Sequence, residues 1–178
     1  MDPDFIHVIR GPSAHSPPFA PKVRTVKEIE VKRDQRVPHE VESLLRSLPD
    51  WFEIEEALMG YVNDARTHDT YTAVMDGEVV GALIVKHHSR YASEVHLMAV
   101  RPTLHRCGIG RKLLGTLETD LASKSVEFLQ VKTLGPSYPS VEYESTRLFY
   151  EAMGFRAIEE IEGLWPGNPC LIMVKSLA

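Results

Sequence analysis

Val95-His96-Leu97-Met98-Ala99-Val100-Arg101-Pro102-Thr103-Leu104-His105-Arg106-Cys107-Gly108-Ile109-Gly110-Arg111 carries an apolar run into a turn that holds two glycines. Residues 95–100 read as a strand, while Ile109, Leu113, Leu114, Leu117 and Leu121 recur at helical spacing. The segment between them is therefore a strand-to-helix junction. Two glycines there let the backbone approach a ligand with no Cβ in the way, and the first helical turn offers N–H groups that have no intrahelical partner. Because the positive end of the helix macrodipole points at the same place, the junction suits a phosphate. Arg106, Arg111 and Lys112 add positive charge around it.

Spacing separates three kinds of phosphate loop. A nucleotide P-loop needs Gly-Lys and then Ser or Thr, whereas Gly110 is followed by Arg111, Lys112 and Leu113. The dinucleotide fingerprint needs a third glycine where Leu113 stands, and a turn directly after the strand where Arg101 to Cys107 intervene. The pattern V-x-P-x-x-[QR]-x-x-G-x-[GA] fits Val100 to Gly110, with His105 at the Gln/Arg position. That segment resembles the acetyl-CoA pyrophosphate loop of the GNAT superfamily of N-acetyltransferases. A second motif follows in the right order: Phe149-Tyr150, three residues, then Gly154-Phe155, similar to the superfamily's last-helix signature. The two together cover roughly the last half of the chain. Since backbone amides hold the pyrophosphate, His105 is expected to alter affinity more than function.

A chain of 178 residues fits one domain and can bury a core, and 43% hydrophobic with 25% charged residues is ordinary for a globular protein. No apolar run of about eighteen residues occurs and the N-terminus lacks the features of a signal peptide, so no membrane association and a cytoplasmic location are expected. Cys107 and Cys170 provide neither a disulfide framework nor a CxxC metal site, and no metal is expected. A net charge of −5 argues against nucleic acid as a partner. The cluster Arg101, Arg106, Arg111 and Lys112 fits an anionic cofactor better.

Residues 1–22, with Pro12, Pro17, Pro18 and Pro21, read as an irregular N-terminal arm, and 23–178 as the catalytic domain. Alternation predicts a strand over 23–33. Val41, Leu44, Leu45 and Leu48 predict a helix from Pro38 to Pro49, and Asp50 is placed to cap a second helix containing Phe52, Leu58, Tyr61 and Val62. Asp76-Gly77 between two β-rich runs, 70–75 and 78–88, is a hairpin signal. A strand over 94–100, the glycine loop, a helix to about Lys124 and a strand over 126–133 come next. A helix over 141–153 and strands over 155–161 and 171–175 complete an α/β chain. Its order matches the GNAT fold, a mixed, mostly antiparallel central sheet flanked by helices.

The resemblance implies acetyl-CoA as co-substrate and direct attack by the primary amine of a small or amino-acid-like acceptor. It places the main chain of Met98, Ala99 and Val100, on a strand splayed from its neighbour, against the pantetheine arm and acetyl oxygen. It also places Arg106, Cys107, Gly108, Ile109, Gly110 and Arg111 around the pyrophosphate. Cys107 is a space filler there, because direct attack needs no covalent enzyme intermediate. Tyr150 matches the superfamily's general acid, a phenol protonated at neutral pH that can donate to the leaving thiolate. Tyr143 stands where relatives carry an asparagine that touches the cofactor. Arg147, between the two tyrosines, is read as a surface ion-pair residue or a contact to the cofactor's 3′-phosphate. Glu94 and His96 share a strand face by the period of two, and either can serve as general base. Trp51, Phe52 and Tyr61 are candidates for acceptor contacts, and Pro136 to Pro139 for the border of the acceptor channel. A homodimer is compatible with the resemblance. The competing function is a CoA-binding sensor or interaction module that keeps the cleft without turnover.

Overall fold

The computed structural model describes residues 28–33 and 36–178. The expected arm over 1–22 and residues 23–27 of the first expected strand lie outside the described residues. The elements are β1 (Glu30–Lys32), α1 (Pro38–Arg46), α2 (Glu55–Thr67), β2 (Asp69–Met75), β3 (Glu78–His87), β4 (Ala92–Val100), α3 (Ile109–Ser123), β5 (Phe128–Leu134), α4 (Val141–Ala152), β6 (Arg156–Trp165) and β7 (Asn168–Ser176), with a 3₁₀ turn at Pro102–Leu104. Their order is the expected one. The strands form a single mixed sheet ordered β1-β2-β3-β4-β5-β7-β6, in which β4 and β5 are parallel and every other pair antiparallel. Among the described residues no helix is long and apolar enough to cross a membrane.

Each face of the sheet is covered by helices that bury one stripe. Ile109, Leu113, Leu114, Leu117 and Leu121 of α3 join Leu83, Val85, Val95, Leu129 and Val131, together with Tyr150 of α4, in one cluster. Val41, Leu44 and Leu45 of α1 and Leu58, Val62 and Ala65 of α2 pack on the opposite face against Ala82, Ile84, Leu97 and Ala99. Sheet residues alternate between the two clusters, as the period of two requires.

Local chemistry explains most boundaries. Pro38 occupies the first turn of α1, where its missing N–H leaves no bond unmade. Asp76 (φ 53°) and Gly77 (φ 82°) make the tight β2–β3 turn, with positive φ at both central residues. Asp50 does not cap α2. The N–H groups of Trp51 and Phe52 both turn back to the Leu48 carbonyl, at 3.1 and 3.2 Å, so the chain makes an extra turn and α2 starts only at Glu55. Glu55 and Glu56 in its first turn suit the positive end of the helix. β6 and β7 run longer than expected and meet at Pro166-Gly167, because the exposed edge strand β6 carries Glu159, Glu160 and Glu162 and bends at two irregularities, which blurs alternation.

The position of α3 is fixed at Gly81 on β3. A Cβ there would lie 3.0 Å from Ile109 Cγ2 and 3.2 Å from Leu113 Cδ1. Gly81→Val is therefore expected to overpack this contact and cost about 1–3 kcal/mol, read by chemical denaturation, with the N-terminus of α3 displaced. A stability equal to that of the wild type would show that α3 does not depend on the close approach.

Candidate active site

The parallel pair between β4 and β5 is short. It runs from Ala92↔Phe128 to Val95↔Val131, after which β4 continues beside β3 as far as Val100↔Gly81 and β5 beside β7 as far as Leu134↔Cys170. The two strands thus part, and an opening forms between 96–100 and 132–134. At its apex the β3–β4 register shifts: Val85 faces Val95 but Ile84 faces Leu97, so His96 is the extra residue of a β-bulge. The bulge moves Leu97 to the α1/α2 face while Val95 stays on the α3 face.

Main-chain groups along an antiparallel strand alternate between bonding the neighbour and facing away. Arg101 N–H donates to the Val80 carbonyl at 2.9 Å. The groups of Ala99, two residues earlier, therefore also face β3, and those of Met98 and Val100 face the opening. Ala99 is corrected in this respect: its main chain is used by the sheet. The Val100 carbonyl accepts from His105 Nε2 at 2.7 Å, which leaves the Val100 N–H and both main-chain groups of Met98. Across the opening on β5, the buried Thr133 hydroxyl has no hydrogen-bond partner among the described residues.

The loop ends at Gly108 (φ 83°), which precedes α3 in the left-handed conformation with no side-chain cap, and Arg106 also has positive φ (62°). The first intrahelical bond runs from Lys112 N–H to the Gly108 carbonyl at 3.0 Å, so the N–H groups of Ile109, Gly110 and Arg111 have no partner within the helix. A Cβ on Gly108 would meet nothing within 4 Å, whereas one on Gly110 would sit 3.3 Å from the Phe149 ring. The loop is open on its outer side and closed toward α4. Arg106, Cys107 and Arg111 are exposed around it. Arg101 is not part of this basic cluster, since it pairs with Glu78 at 3.0 Å, and the Lys112 ammonium donates to the Ile29 carbonyl. An orphaned polar side chain, unpaired main-chain groups and a helix start with free donors together fit the arm and diphosphate of acetyl-CoA.

On the α3/α4 face, Tyr150 is buried between Phe149 and Phe155, each ring centroid 5.3 Å away. Burial, with a smaller effect of Tyr61, pushes its phenol well above the ordinary value, so it stays protonated. Tyr143 is committed elsewhere. Its hydroxyl donates to the Trp51 carbonyl at 3.1 Å, and burial pushes its pKa up to about 12. The Trp51 indole N–H reaches Thr146 Oγ1 at 3.4 Å, and its ring meets His105 edge-on at 5.8 Å. Tyr143 thereby ties α4 to the turn between α1 and α2, and its hydroxyl is not free for a cofactor. Arg147 donates to the Leu134 carbonyl at 2.9 Å. Ser137 N–H, in the expected acceptor-channel border, donates to Glu160 Oε1 at 3.2 Å.

On the α1/α2 face, Glu94 and His96 do come together, with His96 Nδ1 3.7 Å from Glu94 Oε1. Glu94 is buried, and its Oε2 accepts from His88 (2.7 Å), Gln130 (2.8 Å) and Lys132 (2.7 Å). Burial alone would raise its pKa, but the neighbouring His96 ring and the donors Lys132, His88 and Gln130 prevail and hold it far below the carboxylate range. His96 Nε2 lies 2.6 Å from Asp64 Oδ2 on α2, and the Tyr61 ring lies 5.1 Å from the imidazole. Phe52 packs edge-on against Tyr61 at 5.9 Å. Asp64, Gln130 and Lys132 escaped the sequence reading. Asp64 looks like a solvated helix residue, but polar Gln130 and Lys132 alternating with Leu129 and Val131 in a central strand could have marked a second buried polar face. Among the described residues no group of three or more His, Cys, Asp or Glu could hold a metal ion.

Because Glu94 titrates lower in the folded than in the unfolded chain, its contribution to stability is complete above about its ordinary value of 4.5 and fades as pH falls below it. Lys132→Met removes one of its donors and is expected to cost about 1–3 kcal/mol at neutral pH, with a deficit that shrinks in acid. Denaturant titrations at several pH values measure this; a deficit independent of pH would mean that Lys132 acts through packing.

Comparison with known proteins agrees with this architecture. The family model described as an acetyltransferase (GNAT) domain matches residues 66–157, just over half of the chain. No curated protein sequence gives a significant match. Among solved structures, a GNAT-family protein from Desulfovibrio desulfuricans aligns with TM-score 0.72 at 20% identity, covering 85% of this chain and all of its own. An aminoglycoside 6'-N-acetyltransferase complexed with coenzyme A aligns with TM-score 0.66 at 19% identity, covering 84% of this chain and 97% of its own. The ribosomal-protein-S18-alanine N-acetyltransferase from Escherichia coli gives 0.66 at 14% identity, covering 85% and 95%. At these identities the structural likeness speaks for the fold, and one solved relative acts on a small molecule while another acts on a protein. With its family-model match, its open parallel strand pair and its helix entered through Gly108, the chain belongs to the GNAT acetyltransferase family.

Proposed function

We propose that the protein transfers an acetyl group from acetyl-CoA to the primary amine of a small, amino-acid-like acceptor. The observation that carries this reading is the opening between β4 and β5: a protonated phenol stands on one face of the sheet and an imidazole with carboxylates on the other. Acetyl-CoA supplies the acyl group as a thioester, whose C–S bond breaks as the new N–C bond forms. The N–H groups of Ile109, Gly110 and Arg111 would hold the diphosphate, with Arg106 nearby, while Cys107 fills space. The main-chain groups of Met98, the Val100 N–H and the Thr133 hydroxyl would hold the arm and orient the carbonyl. Tyr150 gives its phenolic proton to the departing sulfur, and a base on the α1/α2 face takes the proton from the amine.

The charges of that face favour an acceptor with a single amine over a polycation. Asp64 Oδ2 is taken by Lys86 (3.1 Å) and His96, and Glu94 Oε2 by Lys132, Gln130 and His88, so one oxygen of each carboxylate is already occupied by donors of the chain itself and less negative charge remains for extra ammonium groups. A panel of amino acids, their amides, polyamines and aminoglycosides, scored by thiol release, is expected to favour the first two.

Tyr150→Phe is expected to lower kcat by about 10²-fold or more, with coenzyme A affinity by calorimetry nearly unchanged. Met98→Pro removes one of the donors facing the opening and should abolish cofactor binding in a folded protein. Coenzyme A binding with no thiol release for any amine would favour the non-catalytic module instead. No binding at all would remove both readings.

A further inference from the structure

We propose that His96 is the general base and that Asp64, on α2, is the positioning residue that makes it one. This rests on the acetyl-transfer reading above and deepens it. His96 is the first residue of β4 past the last pair with β5, so it stands at the apex where the strands part, and the bulge at this residue carries its side chain toward α2. A nucleophile directed at a group held in the opening passes this point.

The tautomer follows from the partners. Asp64 accepts from Lys86 at 3.1 Å and has His68 Nδ1 3.8 Å from its other oxygen, and it titrates below the ordinary range because the Lys86 and His96 bonds outweigh its partial burial. It is thus an ionised acceptor, and the ring nitrogen 2.6 Å from it, Nε2, must carry the hydrogen. Nδ1 then keeps its lone pair and can take the proton of an attacking amine. The resulting imidazolium would have Asp64 at one nitrogen and Glu94 Oε1, 3.7 Å away, at the other.

Glu94 itself is poorly suited to the task. Three donors converge on its Oε2 and hold it far below the carboxylate range, so it has little affinity for a proton near neutrality. Its part is to stabilise the charge that forms on His96. The other titratable groups turned toward the imidazole are Tyr61 of α2 and His68 just after it, with ring centroids 5.1 and 6.3 Å away. Lys86 acts through Asp64, and Lys132 and His88 act through Glu94. Cys170 on β7 is electrostatically coupled to Glu94 and Lys132. Each carboxylate already has its lysine, and a proton arriving on His96 meets the nearest oxygens of both.

The test combines rates with a direct view of the ring. Asp64→Asn is expected to lower kcat about 10²-fold with coenzyme A affinity within about twofold, and Asp64→Glu to restore part of the loss. The acid limb of kcat/KM should move to lower pH in Asp64→Asn, because a carboxylate that favours the imidazolium is gone, and should vanish in His96→Gln. In the wild-type protein labelled with ¹⁵N-histidine, the resonance lost in His96→Gln should show the Nε2–H tautomer near neutral pH, a readout that needs neither turnover nor a folded Asp64 variant. An acid limb that vanishes in Glu94→Gln and persists in His96→Gln, a limb unmoved by Asp64→Asn, or an Nδ1–H tautomer would each overturn the proposal. Loss of coenzyme A binding by the wild type would instead defeat the acetyl-transfer reading, while the tautomer would still decide the Asp64–His96 arrangement.

Discussion

The parting of β4 from β5 is what opens a passage between the two faces of the sheet. Two parallel strands that stayed paired to their ends would bury every main-chain group in the ladder and leave no way between the faces of the sheet. Here each strand keeps its outer partner, β3 for one and β7 for the other, so both remain ordered while the edges between them go unbonded. The bulge at His96 adds local twist where pairing stops. Unsatisfied N–H and C=O groups inside a protein are costly, and a site where they persist on a rigid frame is one that a ligand can complete. The Thr133 hydroxyl, with no partner among the described residues, is a further group of this kind.

The opening also divides the chemistry. The α3/α4 face is aromatic and closely packed around Tyr150, and burial there keeps a phenol protonated. The α1/α2 face is lined by ion pairs, in which buried Glu94 is kept ionised by several donors at once. An acid and a base in a shared environment would tend to neutralise each other or settle at similar proton affinities. Placed on opposite sides of a sheet, they keep separate values and meet only through what lies between the strands.

The sequence displayed the parts of this arrangement that local rules govern. Ile109 to Leu121 show the buried stripe of α3 without ambiguity, Asp76-Gly77 the hairpin, and Gly108 and Gly110 the open junction into the helix. Glu94 and His96 were legible as neighbours on one face, and the structure brings them together, although through a bulge that strict alternation does not contain. What stayed hidden depends on partners distant in the chain. Asp64 precedes His96 by 32 residues and lies on a helix whose start is set by the backward turn at Leu48, so its role appears only once α2 is laid across β4. Tyr143 shows the converse: a motif position suggested a cofactor contact, and a carbonyl in the α1–α2 turn claimed the hydroxyl first.

His105, the departure from the family pattern, takes a clear part in this geometry. A loop that must hold its N–H groups outward has few contacts of its own, and here residues 106–108 are exposed, with two of them at positive φ. By donating to the Val100 carbonyl, His105 fastens the loop to the end of β4 and fills an acceptor that the opening would otherwise have exposed. Its ring also receives Trp51 from the turn between α1 and α2, which reaches α4 through Thr146 and Tyr143. Single contacts of this kind contribute about 0.5–1.5 kcal/mol each. They are enough to set the loop relative to α4 and β4, and weak enough singly that the position of the diphosphate donors is shared among several elements and owned by none.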